Sequence, residues 1–208
     1  MDGCLLDTER MYIKAWGMAF QAKGIPITRE QLIALGGKGT VHIDNFMREY
    51  THSGEMAKAL RASREEFFWG FLDRGEVGLM PYAGEILKYV KSTNLLLGIA
   101  SSTYTQKASR ILMHFDLLHS FDFKVFGDMI ENLKPAPDIY NMAVSLSGKT
   151  KEECITFEDS ATGVMAANAC GIDVVYVPGI GERVSEDAAV YREIPSLREG
   201  VALLAGLI

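Results

Sequence analysis

The sequence predicts an α/β protein in which a Rossmann-like parallel sheet forms the core and an inserted helical bundle forms a cap. Two observations predict this class. Residues 9–73 carry helical periodicity and no strand-like run, whereas from residue 80 onward short apolar strand candidates alternate with helices. This alternation indicates a parallel sheet covered on both faces. We therefore predict a core of residues 1–8 and 80–208 and a cap of residues 9–79.

The predicted cap contains four helices. The first is marked by apolar side chains at steps of three and four residues: Met11, Ala15, Met18, Ala19 and Ala22. Gly24 ends it, and Thr28, with Gln31 three residues later, predicts the N-cap of a second, shorter helix. Two further helices are predicted near residues 41–50 and 55–72.

The predicted core begins with a loop or tight turn at residues 1–8, which contain a glycine and two aspartates. Residues 95–100 are apolar without polar alternation, which is typical of a buried parallel strand. The other predicted elements follow in alternation: strands at 123–126, 154–157 and 172–177, and helices at 105–114, 137–145, 160–170 and 196–204.

The composition disfavours several classes of partner. The formal net charge is −6, so the chain has no electrostatic reason to bind nucleic acid or an anionic membrane. Its longest apolar run is far shorter than the about 20 residues that cross a bilayer, and its N-terminus lacks the pattern of a secretory signal. The three cysteines match neither a zinc pattern nor a disulfide framework. We therefore expect a cytoplasmic protein, and the sequence gives no signal for its oligomeric state.

Four polar clusters stand at the predicted strand ends or in the loops that follow them. They are residues 1–9 (MDGCLLDTE), 101–103 (SST), 134–138 (KPAPD) and 158–163 (EDSATG). Taken singly, each has an ordinary structural explanation, such as a helix N-cap, a surface charge or a turn. Together, a hydroxyl, a lysine and a pair of carboxylates would meet at one edge of a sheet, where the ligands of such sheets bind.

This combination of groups predicts a site for an anion and magnesium. Adjacent carboxylates repel each other, which favours a hard divalent cation bound through oxygen. A lysine and a hydroxyl supply positive charge and hydrogen-bond donors for phosphate oxygens. The chemistry therefore indicates a small phosphorylated metabolite as the partner.

The order of the clusters is DG-x-L-x-DTE, then an apolar run with SS, then KPxPD, then an apolar run with EDS-x-x-G. This order resembles the haloacid dehalogenase superfamily, and more narrowly its branch of β-phosphoglucomutase and small sugar-phosphate or nucleotide phosphatases. The match covers nearly the whole chain, because the helical insert between the first two clusters also agrees. The resemblance implies the core and cap architecture of that family.

The resemblance also implies a role for each matching residue. Asp2 matches the general acid/base, whose backbone carbonyl also binds magnesium. Ser101 matches the hydroxyl that holds the transferring phosphoryl group, and Lys134 matches the lysine that neutralises nucleophile and phosphate. Glu158 and Asp159 match the acidic positions that hold Mg²⁺.

Supporting roles fall to further residues. Ser102 and Lys38 are candidate substrate contacts, although Lys38 is equally compatible with a solvated charge. Asp7 and Thr8 would brace the loop around Asp2. Some cap side chains are candidates for lining the pocket, with core packing as the alternative for the aromatic ones: Tyr12, Trp16, Lys38, His42 and Trp69.

The chain departs from the family pattern at two places. The family's nucleophilic aspartate, behind an apolar strand in the middle of the sheet, corresponds to the position directly before Met1, which these 208 residues do not include. We therefore expect the natural protein to begin upstream of Met1 and the chain as given to be nearly inactive. In the cap, Gly36 and Thr40 occupy positions where the mutases carry a lysine and an arginine that bind a distal phosphate, which favours a simple phosphatase.

The predicted function is a magnesium-dependent phosphatase that acts through an aspartyl-phosphate on a small metabolite, such as a sugar phosphate or a nucleoside monophosphate. Two alternatives stay open: a phosphosugar mutase of the β-phosphoglucomutase type, and a non-catalytic protein that binds a phosphorylated ligand. Dehalogenation is disfavoured because Asp2 and the carboxylate pair suit metal-assisted phosphoryl transfer.

Overall fold

The computed structural model describes residues 1–181, 183–186 and 188–207, with the backbone alone at Thr40. The Thr40 side chain, at one of the two positions compared with the mutases, therefore lies outside the description. Within the described ranges the chain forms nine α-helices and five β-strands. The predicted α/β class with parallel strands is confirmed. None of the helices in these ranges is both long and apolar enough to cross a membrane.

The first four helices form a bundle, which we call the helical segment (residues 8–73). They are α1 Thr8–Ala22, α2 Arg29–Ile33, α3 Thr40–Thr51 and α4 Gly54–Asp73. Helix α4 packs against both α1 and α3. The largest side chains buried among these helices are Trp16, Phe20, Met47 and Leu60. The apolar positions that recur at helical spacing in the sequence thus form the buried faces of the bundle.

The rest of the chain alternates helices and strands. In order they are α5 Ala83–Lys91, β1 Gly98–Ser101, α6 Thr105–His114, β2 Phe123–Phe126, α7 Asp138–Ser147, β3 Ile155–Glu158, α8 Ala161–Cys170, β4 Asp173–Tyr176, β5 Arg192–Glu193 and α9 Leu197–Ala205. Helices α7 and α8 cover one face of the strands, and α5, α6 and α9 cover the other. Alternate strand residues face the two layers: Val174 and Tyr176 join the α7–α8 side, and Val175 joins the opposite side.

Helix α5 is an element that the sequence analysis does not predict. Its residues Ile86, Leu87 and Val90 have helical spacing and are buried. They pack in the same apolar cluster as Leu197 and Leu204 of α9. The signal for this helix is therefore present in the sequence, in a stretch too short to stand out.

The other predicted core elements agree with the structure to within a few residues. The β1 strand begins at Gly98 rather than at residue 95, because its partner β2 begins at Phe123, the residue paired with Gly98. Pro137, Ser160 and Ser196 are N-caps of their helices rather than first helical residues. Strand β3 begins at Ile155, one residue after the predicted Cys154, and it ends on Glu158 itself.

The strands form two hydrogen-bonded sets, β1–β2 and β3–β4–β5, and every pairing is parallel. Within the described ranges no hydrogen-bonded pairing joins β1 to β3. A groove of about 590 Å³, which we call the sheet groove, is lined by residues of both strands. The nearby residues 1–6 form a tight turn with a bridge between Asp2 and Leu6, and they do not extend along either strand.

The chain crosses between the helical segment and the sheet at two adjacent places. Leu6 and Leu79 form an antiparallel bridge. The N–H of Asp7 donates to the carbonyl of Gly78 at 2.9 Å. The two crossings are therefore hydrogen-bonded to each other, so the chain enters and leaves the helical segment at one place.

Candidate active site

The first turn of the chain places Asp2 beside the ends of β1 and β3. Gly3 has a φ of +69°, and its N–H donates to the carbonyl of Leu6 at 2.9 Å. A Cβ atom at Gly3 would overlap the carboxylate of Asp159. Glycine is thus required here both by the backbone conformation and by the close approach of Asp159.

Four hydroxyl groups contact the carboxylate of Asp2. The hydroxyl of Thr8 donates to Oδ1 at 2.7 Å, and that of Tyr12 lies 3.4 Å from the same oxygen. Ser101 and Thr103 donate to Oδ2 at 3.2 and 2.9 Å. Two of the donors belong to α1 and two to the end of β1 and its following loop. The carboxylate is therefore oriented by hydrogen bonds from both parts of the molecule.

The loop after β1 is fixed by its own contacts. The N–H of Thr103 donates to the Ser101 hydroxyl at 3.2 Å, and Gly127 donates its N–H to the Thr103 carbonyl at 3.1 Å. A Cβ atom at Gly127 would overlap the carbonyl of Ser102. Ser102 is half-buried, but no hydrogen bond of its side chain to Asp2 occurs among the described residues. The structure thus places Ser101 and Thr103, but not Ser102, at the carboxylate.

Lys134 lies against Glu158 at the end of β3. Its ammonium and the hydroxyl of Tyr140 both contact Oε1 of Glu158, and the Lys134 Nζ is 3.3 Å from the Tyr140 hydroxyl. Burial, the largest single effect, raises the pKa of Glu158, but the nearby positive charges, Lys134 first, and the hydrogen bonds from Lys134 and Tyr140 together hold it below its usual value. Burial, and then Glu158, raise the pKa of Tyr140 well above its usual value, so Tyr140 remains a proton donor.

Asp159 has the opposite surroundings. It is 7% exposed, and no hydrogen-bond donor contacts its carboxylate among the described residues. Burial, followed by the charge of Glu158, raises the pKa of Asp159 to about 8. A Cβ atom at position 179 would lie only 2.7 Å from Oδ2 of Asp159. Gly179 therefore avoids a clash with this carboxylate.

This arrangement of carboxylates fits a divalent cation. Glu158 and Asp159 are adjacent and buried, and the Asp159 charge is not compensated by a protein donor. The described residues contain no group of three or more His, Cys, Asp or Glu side chains around one point. A bound cation would therefore also need backbone oxygens and water as ligands, which is the usual coordination of Mg²⁺.

Lys38 lies apart from Asp2, in the loop between α2 and α3. It is half-buried and lines a crevice of about 290 Å³ together with Ser160 and Arg183. The Gly37 N–H donates to the Glu9 carboxylate at 3.1 Å, which fixes this loop to α1. Burial, and then Asp2, raise the pKa of Glu9 to about 7.

The predicted bracing residues differ in position. Thr8 is buried and contacts Asp2 directly. Asp7 instead accepts a hydrogen bond from Nε of Arg10 at 2.8 Å, next to the start of α1.

The cap residues that were candidates for lining the pocket also occupy different surroundings. Tyr12 reaches Asp2, whereas Trp16 is 2% exposed and packs in the helical segment. His42 is exposed, and Trp69 is half-buried with the Arg110 guanidinium 3.9 Å from its ring centroid.

A cluster of charged residues next to Tyr12 is absent from the sequence prediction. Lys107 of α6 donates to both carboxylate oxygens of Glu65 on α4, at 2.9 and 2.8 Å. Arg64 donates to Glu65 at 2.5 Å, and its guanidinium lies 4.6 Å from the Tyr12 ring centroid. Arg64 is 6% exposed, and its Nε has no hydrogen-bond partner among the described residues. The cluster therefore joins α4 to the sheet side of the molecule beside Asp2.

Some site residues were not predicted from the sequence, and the strength of the sequence signal for them differs. Thr103 belongs to the SST cluster, so the sequence itself indicates that Thr103 lies close to Ser101. Tyr140 stands six residues after Lys134, but its contact depends on how α7 packs. Arg64 and Glu65 lie within an ordinary charged helical pattern, and only tertiary packing shows that Arg64 is buried.

Known proteins are similar to this chain in sequence and in fold. A phosphorylated carbohydrates phosphatase of Thermotoga maritima is 32% identical over 180 residues, covering 85% of this chain and 81% of that protein. Fructose-1-phosphate phosphatase YqaB of Escherichia coli is 30% identical over 177 residues, covering 85% of this chain and 93% of that protein. The crystal structure of CbbY from Rhodobacter sphaeroides in complex with phosphate has a TM-score of 0.79 at 27% identity, covering 96% of this chain and 92% of that chain.

The family resemblance drawn from the four clusters is confirmed by these relatives, which include sugar-phosphate phosphatases. Residues 1–177 match the haloacid dehalogenase-like hydrolase family. With this match over most of its length, the chain belongs to the haloacid dehalogenase-like hydrolases.

Proposed function

We propose that the site serves a Mg²⁺-dependent phosphatase that acts on a small phosphorylated metabolite, such as a sugar phosphate or a nucleoside monophosphate. The observation that carries the proposal is the difference in surroundings between the carboxylates of Asp2 and Asp159, which lie on the two sides of Gly3. On one side, four hydroxyls contact Asp2. On the other, the buried Asp159 carboxylate has no donor among the described residues. An acid/base group beside a cation-binding pair is the arrangement that phosphoryl transfer uses.

In this proposal Glu158, Asp159 and the backbone carbonyl of Asp2 hold the cation. When bound, Mg²⁺ offsets the negative charge on phosphoryl oxygens. Lys134 adds positive charge on the same side, since its ammonium already contacts Glu158. The Ser101 hydroxyl, at the end of β1, donates to a phosphoryl oxygen.

Asp2 carries the proton in both half-reactions. In the first, an aspartate carboxylate attacks phosphorus and the bond to the ester oxygen breaks, while Asp2 gives its proton to the leaving oxygen. In the second, a water attacks the phosphoryl group, and Asp2 takes its proton as the carboxylate is released. Thr8 and Thr103 keep Asp2 oriented during both transfers, because each donates to a different oxygen of it.

The attacking aspartate belongs directly before Met1 in this proposal, and the 208 residues do not include that position. The chain as given is therefore proposed to bind phosphate and Mg²⁺ but to turn over poorly. The decisive experiment extends the chain before Met1 with an apolar segment that ends in Asp, and uses an identical extension ending in Asn as the control. Mg²⁺-dependent phosphate release from a panel of sugar phosphates and nucleoside monophosphates is expected with the Asp extension alone.

Other outcomes of that experiment have distinct meanings. If both extended proteins bind phosphate and neither releases it from any ester, the protein is a phospholigand-binding member of the family and the phosphatase proposal fails. If Mg²⁺ has no effect on either binding or turnover, the assignment of Glu158 and Asp159 as cation ligands fails.

The helical segment is proposed to select the substrate, as a cap comprising residues 9–79 over a core comprising residues 1–8 and 80–208. Support comes from Tyr12, whose hydroxyl reaches Asp2 from α1. Arg64 of α4 lies over the same ring, and its Nε has no hydrogen-bond partner in the part of the chain that the structure describes. The two relatives named above act, by their names, on phosphorylated carbohydrates and on fructose 1-phosphate. The cytoplasmic location stays a prediction.

A second candidate function is a phosphosugar mutase, which must accommodate two phosphates. The observation that favours it is a second recess of about 290 Å³ next to the EDSATG cluster, lined by the hydroxyls of Ser160, Thr162 and Ser185, because hydroxyls donate to phosphate oxygens. With the Asp-extended chain and a hexose 1-phosphate, a mutase forms the 6-phosphate isomer, whereas a phosphatase releases inorganic phosphate. ³¹P NMR of one reaction mixture distinguishes the two products.

A further inference from the structure

Tyr104 is the most exposed of the Tyr, Phe and Trp side chains that the structure describes. Its exposed fraction is 55%, compared with 46% for Tyr191 and 40% for Tyr82. Its side chain forms no hydrogen bond, ring contact or cation contact with any described residue. A single exposed aromatic side chain is ordinary on a protein surface, so its position decides whether it has a role.

Tyr104 lies beside the active site, on the side where the sheet meets the helical segment. It directly follows Thr103, whose hydroxyl donates to Asp2 at 2.9 Å. It is also the N-cap of α6, three residues before Lys107, and the side chains at these two positions of a helix are neighbours. Lys107 in turn contacts Glu65 of the helical segment. The Tyr104 ring is therefore next to the space in which a substrate of Asp2 would extend.

The backbone around Tyr104 is fixed although the side chain is exposed. Thr105 donates its N–H and its hydroxyl to the carboxylate of Asp128, at 2.8 and 2.7 Å. These bonds tie the start of α6 to a short turn that ends in Met129, which is 43% exposed. Tyr104 and Met129 thus form an apolar rim on two connected loops, which we call the Tyr104 rim. A rim held in place before binding loses little conformational freedom when a ligand covers it.

The chemistry of the Tyr104 rim suits a flat, uncharged group. Every nucleobase has a π-face that stacks on an aromatic side chain, and methionine also packs well against aromatic rings. A second anionic group is disfavoured here, because the hydrogen bonds from Thr105 hold the pKa of Asp128 below its usual value and keep this carboxylate charged. Sugar hydroxyls find no donor or acceptor on the Tyr104 ring face, and a hydroxyl that is buried without a partner weakens binding.

We propose that Tyr104 determines specificity by stacking on the base of a nucleoside monophosphate. The phosphate of this ligand lies at Ser101, Lys134 and the cation-binding pair, and its ribose spans the gap between the phosphate and the Tyr104 ring. This assignment rests on the phosphatase function proposed above, because the phosphate site fixes one end of the ligand. It narrows the substrate class from small phosphorylated metabolites to nucleotides.

Binding to the 208-residue protein in the presence of Mg²⁺ tests this assignment without requiring turnover. The two ligands are uridine 5′-monophosphate and methyl β-riboside 5-phosphate, which share the ribose and the phosphate and differ in the base. In isothermal titration calorimetry, the nucleotide is expected to bind about tenfold more tightly than the riboside. In proton NMR, the base protons are expected to move upfield on binding, because they enter the ring current of Tyr104.

Three variants locate the contact. Tyr104→Ala is expected to bind the nucleotide as weakly as the riboside, without a change in its affinity for the riboside. Tyr104→Phe is expected to keep the preference for the nucleotide, because stacking does not need the hydroxyl. Tyr191→Ala removes another exposed tyrosine and is the matched control, with neither affinity changed. Since the Tyr104 side chain has no contact among the described residues, Tyr104→Ala is expected to keep the Tm of the unmodified protein.

Each contrary outcome identifies the part that fails. Equal affinity of the unmodified protein for the two ligands overturns the role of Tyr104 and leaves the phosphate site in place. An equal loss of affinity for both ligands in Tyr104→Ala would put the ring against the ribose, which also overturns the base assignment. If neither ligand binds and inorganic phosphate does not bind either, the proposed phosphatase site fails, and the base assignment fails with it.

Discussion

Asp2 and Asp159 lie on the two sides of Gly3, and their carboxylates have opposite surroundings. Hydroxyls of four residues contact Asp2 at 2.7 to 3.4 Å. Around Asp159, by contrast, the described part of the chain supplies no donor, and burial and the charge of Glu158 raise its pKa to about 8. The Asp2 side has its donors in the folded chain, whereas the Asp159 side lacks the positive charge that would stabilise its ionised form, which a cation would supply.

The comparison shows that burial alone does not identify the role of an acidic residue. Both aspartates stand in loops beside strand ends, and both are inaccessible to much of the solvent. Their donors distinguish them: a carboxylate with a full set of hydroxyl donors is oriented for proton transfer, and one without donors is available to a metal. Four experiments test this difference, from the largest expected effect to the smallest.

The first removes the charge from the cation side. In Asp159→Asn, the rise in stability that Mg²⁺ gives the unmodified chain should disappear; that rise is about 2.7 kcal/mol when Mg²⁺ exceeds its Kd a hundredfold. The matched control is Asp173→Asn, an exposed aspartate of β4. Thermal unfolding with Mg²⁺ and with EDTA measures the effect, and a persistent Mg²⁺ shift in Asp159→Asn would refute the assignment.

The same variant has a predicted pH dependence without metal. Because the folded-state pKa of Asp159 is raised from 3.8 to about 8, the folded chain binds more protons than the unfolded chain between those values. This group therefore lowers stability progressively as pH rises from about 4 to 8. In EDTA, Asp159→Asn is expected to be more stable than the unmodified chain at pH 8 and above, as urea unfolding can show.

The second experiment displaces the loop on the Asp2 side. Gly127→Ala places a Cβ atom against the backbone carbonyl of Ser102, which cannot move without shifting Ser101 and Thr103. We expect a loss of about 1–3 kcal/mol in the free energy of unfolding. Gly54→Ala, at a site with no atom within 4 Å of the new Cβ, is the control and should be neutral. Equal values for the two variants in urea unfolding would contradict the geometry.

The third removes one donor from Asp2. Thr103→Val keeps the shape of the side chain but leaves Oδ2 of Asp2 with Ser101 alone, and we expect a loss of about 1.5 kcal/mol. Thr105→Val, which loses an exposed hydrogen bond to Asp128, is expected to cost less. Chemical unfolding of the two variants side by side measures the difference, and a larger loss for Thr105→Val would contradict it.

The fourth tests the ion pair that joins α4 to α6 beside the site. A double-mutant cycle of Glu65→Gln and Lys107→Met should give a coupling of about 1 kcal/mol, since both side chains are largely shielded from water. The exposed pair of Lys149 and Glu153 is the control, with about 0.3–0.5 kcal/mol expected. A coupling no larger than the control would mean that the pair does not hold the helical segment.

The sequence was sufficient to predict the residues that follow strands. Ser101 and the Glu158–Asp159 pair come at or directly after strand ends, so the parallel topology alone places them near one another. Residues that reach the site from helices were harder to predict. Tyr140 and Arg64 depend on how α7 and α4 pack, and helical spacing does not distinguish a buried cation from a solvated one.

The strand boundaries show a similar limit. Residues 95–97 are as apolar as a buried strand, but Leu96 is 49% exposed and precedes Gly98, where the pairing with β2 begins. Pairing, rather than local composition, thus determines where β1 begins. The sheet groove is likewise a property of the pairing pattern, and no local run of residues indicates it.

The attachment of the helical segment has a consequence for the proposed chemistry. Thr8 is the first residue of α1 and Tyr12 lies one turn later, so half of the donors around Asp2 belong to the helical segment. The other half, Ser101 and Thr103, belong to the sheet side. A rotation of the segment about the Leu6–Leu79 bridge would change the first pair and spare the second. In the proposed function, the position of the helical segment over a substrate would therefore be coupled to the orientation of Asp2.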